Sequence, residues 1–363
     1  MNNIHILTSW FKSPNETAFL YPLLKFKSQL LNKGYSIKFF DQPSEKFTEC
    51  DVMIISSKFY SNRWSENLVH KTLQEIYELK KNGAKLIYAD ISDSTGVVHF
   101  KMLEIVDLYI KNQLYKNKNN YLKSFYGYRI YTDFYNRNYN VKDKIPAYSE
   151  PITNIDNLKK LTIGWNSALG NYGILSFYYQ KIIGNLGLKF HLPYPKKKLI
   201  PFNLKKNTVQ ARFYSNYSRN TVGHMRKKII EKLSDFYIYN KKLNRFSYYN
   251  ELKKSKLILS PFGLGEITLK DFETFITGGI LLKPNMNHLE TWPNLYKENK
   301  FVIFHNWDLS DLIEKIEYCL SNDKAMRKIA LDAQENYFSY LNGPTSVKKF
   351  LKHFDSVIER LKS

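Results

Sequence analysis

The 363-residue sequence holds only two cysteines, Cys50 and Cys319, far apart and with no Cys or His neighbour at metal-ligand spacing. That excludes a disulfide framework or a cysteine-based zinc site as the basis of the fold. No run of about 18 apolar residues occurs, so no segment reads as a membrane-spanning helix. The opening Met1-Asn2-Asn3-Ile4-His5-Ile6-Leu7 lacks the positive-then-apolar order of an export signal and reads as a first strand, which sets a cytoplasmic expectation. Internal repeats and low-complexity linkers are missing too, which excludes a solenoid or a beaded array. Acidic side chains are in deficit: 33 Asp and Glu face 55 Lys and Arg, a formal net charge of +22. Such an excess draws anionic partners, and nucleic acid, acidic lipid headgroups and sugar nucleotides all qualify. The basic residues are scattered, as at Arg226-Lys227-Lys228 and Lys241-Lys242, and Lys is used heavily alongside Asn, Ile and Tyr, as in a coding bias. Charge alone therefore selects no partner.

What is present is an alternation. Short apolar, β-rich runs at 4–7, 37–40 and 52–56 are separated by helical periodicity, as over 21–32, and this pattern predicts a parallel α/β sheet. A helix over 66–81 stops at Asn82-Gly83, where glycine takes the left-handed conformation. A strand at 84–89 then delivers Asp90-Ile91-Ser92-Asp93-Ser94-Thr95-Gly96 to its carboxyl end, where open α/β sheets build ligand crevices. After a strand-like unit at 106–110, the Tyr/Asn/Lys-rich stretch 113–151 shows few signals of regular structure and reads as a crossover. Strand-like patterning resumes at 161–166 and again at 236–239, 257–260, 280–283 and 301–304, with a helix over 221–233 and closing helices over 309–320 and 346–361. The expected division is a first domain over 1–150, a second over 151–340 and a closing helix within 341–363. The apolar stripe Val347, Phe350, Leu351, Phe354, Val357 and Leu361 on that helix suits packing across the two domains.

The most informative window runs from Lys256 to Pro284: a buried strand, the glycine turn Gly263-Leu264-Gly265, a helix with acidic residues in its first half, and another buried strand. Gly263 and Gly265 clear space where a phosphate or ribose approaches the backbone, and amides at the following helix start can donate to that phosphate. Ser260-Pro261-Phe262-Gly263, Glu266, Asp271-Phe272-Glu273 and Gly278-Gly279 resemble the donor-binding region of GT-B glycosyltransferases, including group 1 and exostosin-like relatives. The resemblance implies two Rossmann-like domains facing each other across a cleft. It gives Glu273 to the ribose hydroxyls and Glu266 to the donor sugar or reaction centre, although one residue fewer separates these glutamates than in the family pattern.

Without a metal, positive side chains and helix amides must neutralise the leaving diphosphate. Arg219 and Arg226 are the first candidates, with Arg212 and Lys270 beside them, while His224 suits a structural place. On the acceptor side Asp90 and Asp93 are the best-placed carboxylates to take a hydroxyl proton, with His99 in reserve. No Asp-x-Asp motif follows a strand, which favours the metal-free expectation, and no cofactor beyond the nucleotide-sugar co-substrate is expected. The leading expectation is a transferase moving a sugar from a nucleotide-sugar to a glycan or lipid-linked acceptor for a surface polysaccharide or lipopolysaccharide, with peripheral contact to an anionic membrane. The alternatives are a basic nucleic-acid-binding protein, against which the aromatics form no recognised module, and a catalytically silent nucleotide-sugar-binding scaffold.

Overall fold

The computed structural model describes residues 2–10, 13–81, 83–176, 193–198, 202–234 and 243–362. Six strands, β1 (Asn2–Leu7), β2 (Tyr35–Phe40), β3 (Val52–Ser56), β4 (Lys85–Asp90), β5 (Leu108–Lys111) and β7 (Leu161–Ile163), form one sheet in the order β2-β1-β3-β4-β5-β7. Every neighbouring pair in it is parallel. The central strands are buried along most of their length, β3 at all five residues, as expected of a parallel sheet covered on both faces. The chain leaves β1 toward β2 and returns on the other side of β1 as β3, so the strand order reverses between β1 and β3. A crevice opens at such a switch point, outside the carboxyl ends of the strands.

Four further parallel strands form the second sheet, in the order β12-β10-β9-β8: β8 (Lys206–Gln210), β9 (Ser255–Leu259), β10 (Ile280–Pro284) and β12 (Ile303–His305). A two-stranded antiparallel ribbon links the halves, β6 (Gln113–Tyr115) pairing with β11 (Leu289–Thr291). The fold is therefore α/β with two Rossmann-like units, as expected.

In chain order the helices are α1 (Pro14–Lys25), α2 (Lys27–Asn32), α3 (Glu45–Thr48), α4 (Glu66–Lys80), α5 (Ile130–Tyr139), α6 (Asn220–Lys232), α7 (Arg245–Lys254), α8 (Leu269–Thr277), α9 (Leu312–Ser321), α10 (Asp323–Leu341) and α11 (Gly343–Glu359). Helix α4 ends as its sequence dictates, with Gly83 at φ +84°. Helix α11 folds back on the first unit: Phe350 stacks on Phe26 at 5.2 Å, and Asp355 pairs with Lys33 at 3.0 Å.

One boundary differs from expectation. The 161–166 run does not open the second unit, because Leu161–Ile163 pairs with Tyr109–Lys111 at the edge of the first sheet. A short apolar run announces a strand but not which sheet it joins. The strand expected at 236–239 lies outside the described residues. The 113–151 stretch carries β6 and α5 where little regular structure was expected.

Candidate functional site

The carboxyl ends of the two sheets face a common cleft of about 520 Å³. The first unit contributes Ser13, Pro14 and Asn15 at the start of α1, Lys58 after β3 and Asp93 after β4. Its wall from the second unit is Tyr217, Arg226 and the stretch from Gly263 to Leu269, apart from Glu266. Helices α1 and α8 therefore both open into the cleft, one from each sheet. Thr268 and Asp271 close a capping box at the α8 start: the Asp271 carboxylate accepts from the Thr268 amide at 3.1 Å and its hydroxyl at 2.9 Å. The box leaves the Leu269 and Lys270 amides without intrahelical partners.

Arg226 is the central cation. Its side chain is 7% exposed, and it donates to the carbonyls of Phe262 at 2.6 Å, Tyr214 at 2.7 Å and Pro261 at 3.2 Å. Among the described residues it has no ion-pair partner. Backbone carbonyls thus fix the guanidinium at the cleft wall; burial lowers its pKa while the nearby Asp271 charge raises it, and an anion in the cleft would supply the direct ion pair that it lacks.

The glycine turn does line the cleft, but protein atoms occupy the space that its missing side chains clear. A Cβ at Gly263 would lie 2.7 Å from Arg226 Nη2, and one at Gly265 would overlap the Asp93 carbonyl. The glycines let Arg226 and the first-unit loop close against the turn. From the crossover stretch, Tyr131 donates its hydroxyl to the Gly263 carbonyl at 2.5 Å, and Arg129 Nε donates to the Leu264 carbonyl at 2.7 Å. Neither residue was singled out from sequence, because nothing local marks a side chain that will reach across to another unit.

Glu266 does not line the cleft. Fully buried, its carboxylate accepts from the Thr95 amide at 3.1 Å, the Ser94 hydroxyl at 3.2 Å and Gln113 Nε2 at 3.0 Å, all on the first unit. Burial raises its pKa, against the Thr95 amide and the Arg129 charge, which lower it. It ties the two units together. Glu273 is also enclosed, pairing with Arg245 at 2.6 Å and accepting from the Tyr248 hydroxyl at 2.9 Å, and it does not line the cleft. Asp90 does not line the cleft: wholly buried, it holds Lys111 at 2.9 Å and the Tyr109 hydroxyl at 2.6 Å. Burial would raise its pKa, yet Lys111, His99 and hydrogen bonds from Ser92 and Tyr109 carry it to about 2.

Asp93 is the carboxylate that reaches the cleft. It is exposed and accepts from Asn15 Nδ2 at 2.6 Å, which aims it from the start of α1. His99 lies beside the site, stacked on Trp64 at 4.4 Å, with its pKa lowered by burial.

The remaining candidates divide. Arg212 makes a two-pronged pair with Glu251, both contacts at 2.7 Å, and is committed there. Arg219 lies over the Tyr128 ring at 4.7 Å with its buried Nη1 unbonded, and it does not line the cleft. Lys270 lies beneath the α8 start, donating to Gln210 at 2.9 Å and the Leu259 carbonyl at 3.3 Å. Burial, then the Arg226 charge, lowers its pKa to about 7. His224 packs its ring against Tyr135 at 5.0 Å, in the structural place expected. Among the described residues no group of three or more His, Cys, Asp or Glu side chains is placed to hold a metal ion, and no helix is long and apolar enough to cross a membrane.

Fold and cleft together define the class: two Rossmann-like units facing each other, the arrangement called GT-B. No protein-family profile matches the sequence, and no curated protein matches it. Among solved structures it is similar to HepE of Anabaena, solved in complex with UDP-glucose, at 10% identity and TM-score 0.44 over 98% of this chain and 100% of that one. A glycosyltransferase of Rickettsia africae has 12% identity and TM-score 0.43, with 98% of both chains covered. Sucrose-phosphate synthase of Thermosynechococcus elongatus has 10% identity and TM-score 0.42, covering 99% of this chain and all of that one.

Proposed function

We propose that the chain is a metal-independent glycosyltransferase that moves a sugar from a nucleotide-sugar donor to a hydroxyl of a glycan or lipid-linked acceptor. The observation that carries this reading is Arg226, a buried guanidinium with no salt bridge among the described residues, at a cleft wall beside the first amides of α8. A diphosphate there meets the guanidinium and the helix amides together. As the bond from the anomeric carbon to the diphosphate oxygen breaks, charge grows on the leaving group and those donors stabilise it. The acceptor oxygen forms the new bond to that carbon, and its proton passes to Asp93 across the cleft. This assignment leaves Glu266 and Glu273 as supports of the donor wall. We place the reaction in surface polysaccharide or lipopolysaccharide synthesis on the cytoplasmic side, where the basic surface favours peripheral contact with anionic headgroups.

Calorimetric titration with a panel of uridine, guanosine, cytidine and thymidine sugar nucleotides tests the reading. At least one should bind in the presence of EDTA. Arg226→Gln should weaken that binding on the order of tenfold or more, the loss of one strong charge-assisted contact. If no sugar nucleotide binds the folded wild type, the transferase reading falls.

A further inference from the structure

A second cavity of about 230 Å³ lies on the first-unit side of Leu264 and shares Lys58, Asp93 and Leu264 with the cleft. At that size, below the roughly 300 Å³ floor of pockets for drug-sized ligands, it admits a single small moiety. Its chemistry is polar and basic. Arg129 lines it and is 5% exposed. The guanidinium spends Nε on Leu264 and Nη1 on the Gly127 carbonyl at 2.8 Å, and its Nη2 makes no hydrogen bond among the described residues. Lys58, half-buried, has no ion-pair partner among them either. Ser61, Ser92 and His99 complete the lining. The carboxylate facing this space is Asp93, at the mouth it shares with the cleft.

We infer that this cavity is an anion subsite for the acceptor: an oxyanion carried by the acceptor, phosphate or carboxylate, is held by Lys58 and Arg129 while its reacting hydroxyl points toward Asp93. The inference rests on the transferase reading and adds the acceptor's charge to it. Lys58 and the unspent Nη2 of Arg129 give the lining two cationic donors; Glu266 lies near enough to interact with the Arg129 charge from behind the wall, but within the cavity itself a neutral sugar would leave both donors without an anion. Asp93 repels the anion from the mouth, so the anion goes to the Arg129 end and the hydroxyl is left at the cleft. Positioning of this kind converts an encounter into a near-attack arrangement.

The test titrates protein saturated with its preferred nucleoside diphosphate with three probes: methyl glucuronide, glycerol 3-phosphate and the neutral methyl glucoside. At least one anionic probe should bind on the order of tenfold more tightly than the glucoside, as a charge-assisted contact provides. The two anionic probes tell carboxylate from phosphate. Lys58→Gln should remove most of the preference for the anionic probe over the glucoside, read as the ratio of their affinities in the same variant, and Arg129→Gln should do the same if it folds. Equal binding of all three probes, or anion binding untouched by Lys58→Gln, overturns the subsite. Protein that binds anionic probes through Lys58 but no nucleotide keeps the anion site and loses the transferase reading. Nucleotide binding without anion preference does the reverse.

Discussion

At the residue scale the acidic side chains separate by what surrounds them rather than by their place in a motif. Glu266 and Asp93 lie on facing loops, and the Asp93 carbonyl abuts Gly265, but only the Asp93 carboxylate meets the cleft. Asp93→Asn keeps the shape and the Asn15 contact while removing the proton acceptor. Transfer should fall by about 10²- to 10⁴-fold, the usual contribution of a general base, with nucleotide affinity unchanged by calorimetry. Glu266→Ala should show the opposite pattern. It strands three donors on the first unit, from Ser94, Thr95 and Gln113, and should cost about 1–3 kcal/mol in denaturant unfolding, because buried donors then lack an acceptor. Turnover per folded molecule should hold close to the wild-type value. A Glu266 variant that folds normally and is inactive would return that residue to the reaction centre.

At the scale of the element, α8 shows why a motif can be legible while its purpose is not. The run Asp271-Phe272-Glu273 stands out in the sequence, but the structure gives its first member the largest task. Asp271 is fully buried and accepts from Ser260 at 2.5 Å, Thr268, Tyr296 at 2.9 Å and Lys283, whose ammonium lies 3.0 Å away in β10. One carboxylate thus ties the end of β9, the start of α8 and the middle of β10 into a fixed platform under the free amides. Asp271→Asn leaves Lys283 charged and enclosed, and breaking a buried pair from one side costs about 3–5 kcal/mol. Denaturant unfolding of the variant should show that loss, and Asp271→Asn with Lys283→Met should recover part of it. The strands and helices around this platform were readable because their patterns are local: β9 holds Leu257, Ile258 and Leu259 in succession, and β10 holds Ile280, Leu281 and Leu282. Helix α10 was readable too, since its buried Met326, Ile329, Ala330, Ala333, Tyr337 and Leu341 recur at helical spacing, and it was missed. The partners of Glu266, the reach of Arg129 and the sheet joined by β7 depend on contacts distant in sequence, which no local pattern encodes.

At the scale of the whole molecule, these same distant contacts decide how the cleft behaves. The β6–β11 ribbon, the three bonds to Glu266, Arg129 and Tyr131 on the glycine turn, and Asp143 accepting from the Thr221 amide at 2.8 Å all join the first unit and its crossover stretch to the second. Helix α11 adds a further strap through Phe350 and Asp355. Each hydrogen bond contributes only about 1 kcal/mol net, but opening the cleft by a hinge would break all of them at once. A gap of roughly 5.5 kcal/mol between two states already corresponds to a population ratio of about 10⁴. The units should therefore stay together with the cleft empty, and ligands should enter its existing mouth. Small-angle scattering with and without saturating nucleotide sugar should show a change in radius of gyration below about 1 Å, the scale of side-chain adjustment in a pre-organised site. Glu266→Ala with Gln113→Ala should loosen the joint and make the empty protein measurably larger, with nucleotide restoring the compact form. A wild-type protein that already contracts by several ångströms on binding would show that these contacts are too weak to hold the units, and that closure is part of the catalytic cycle.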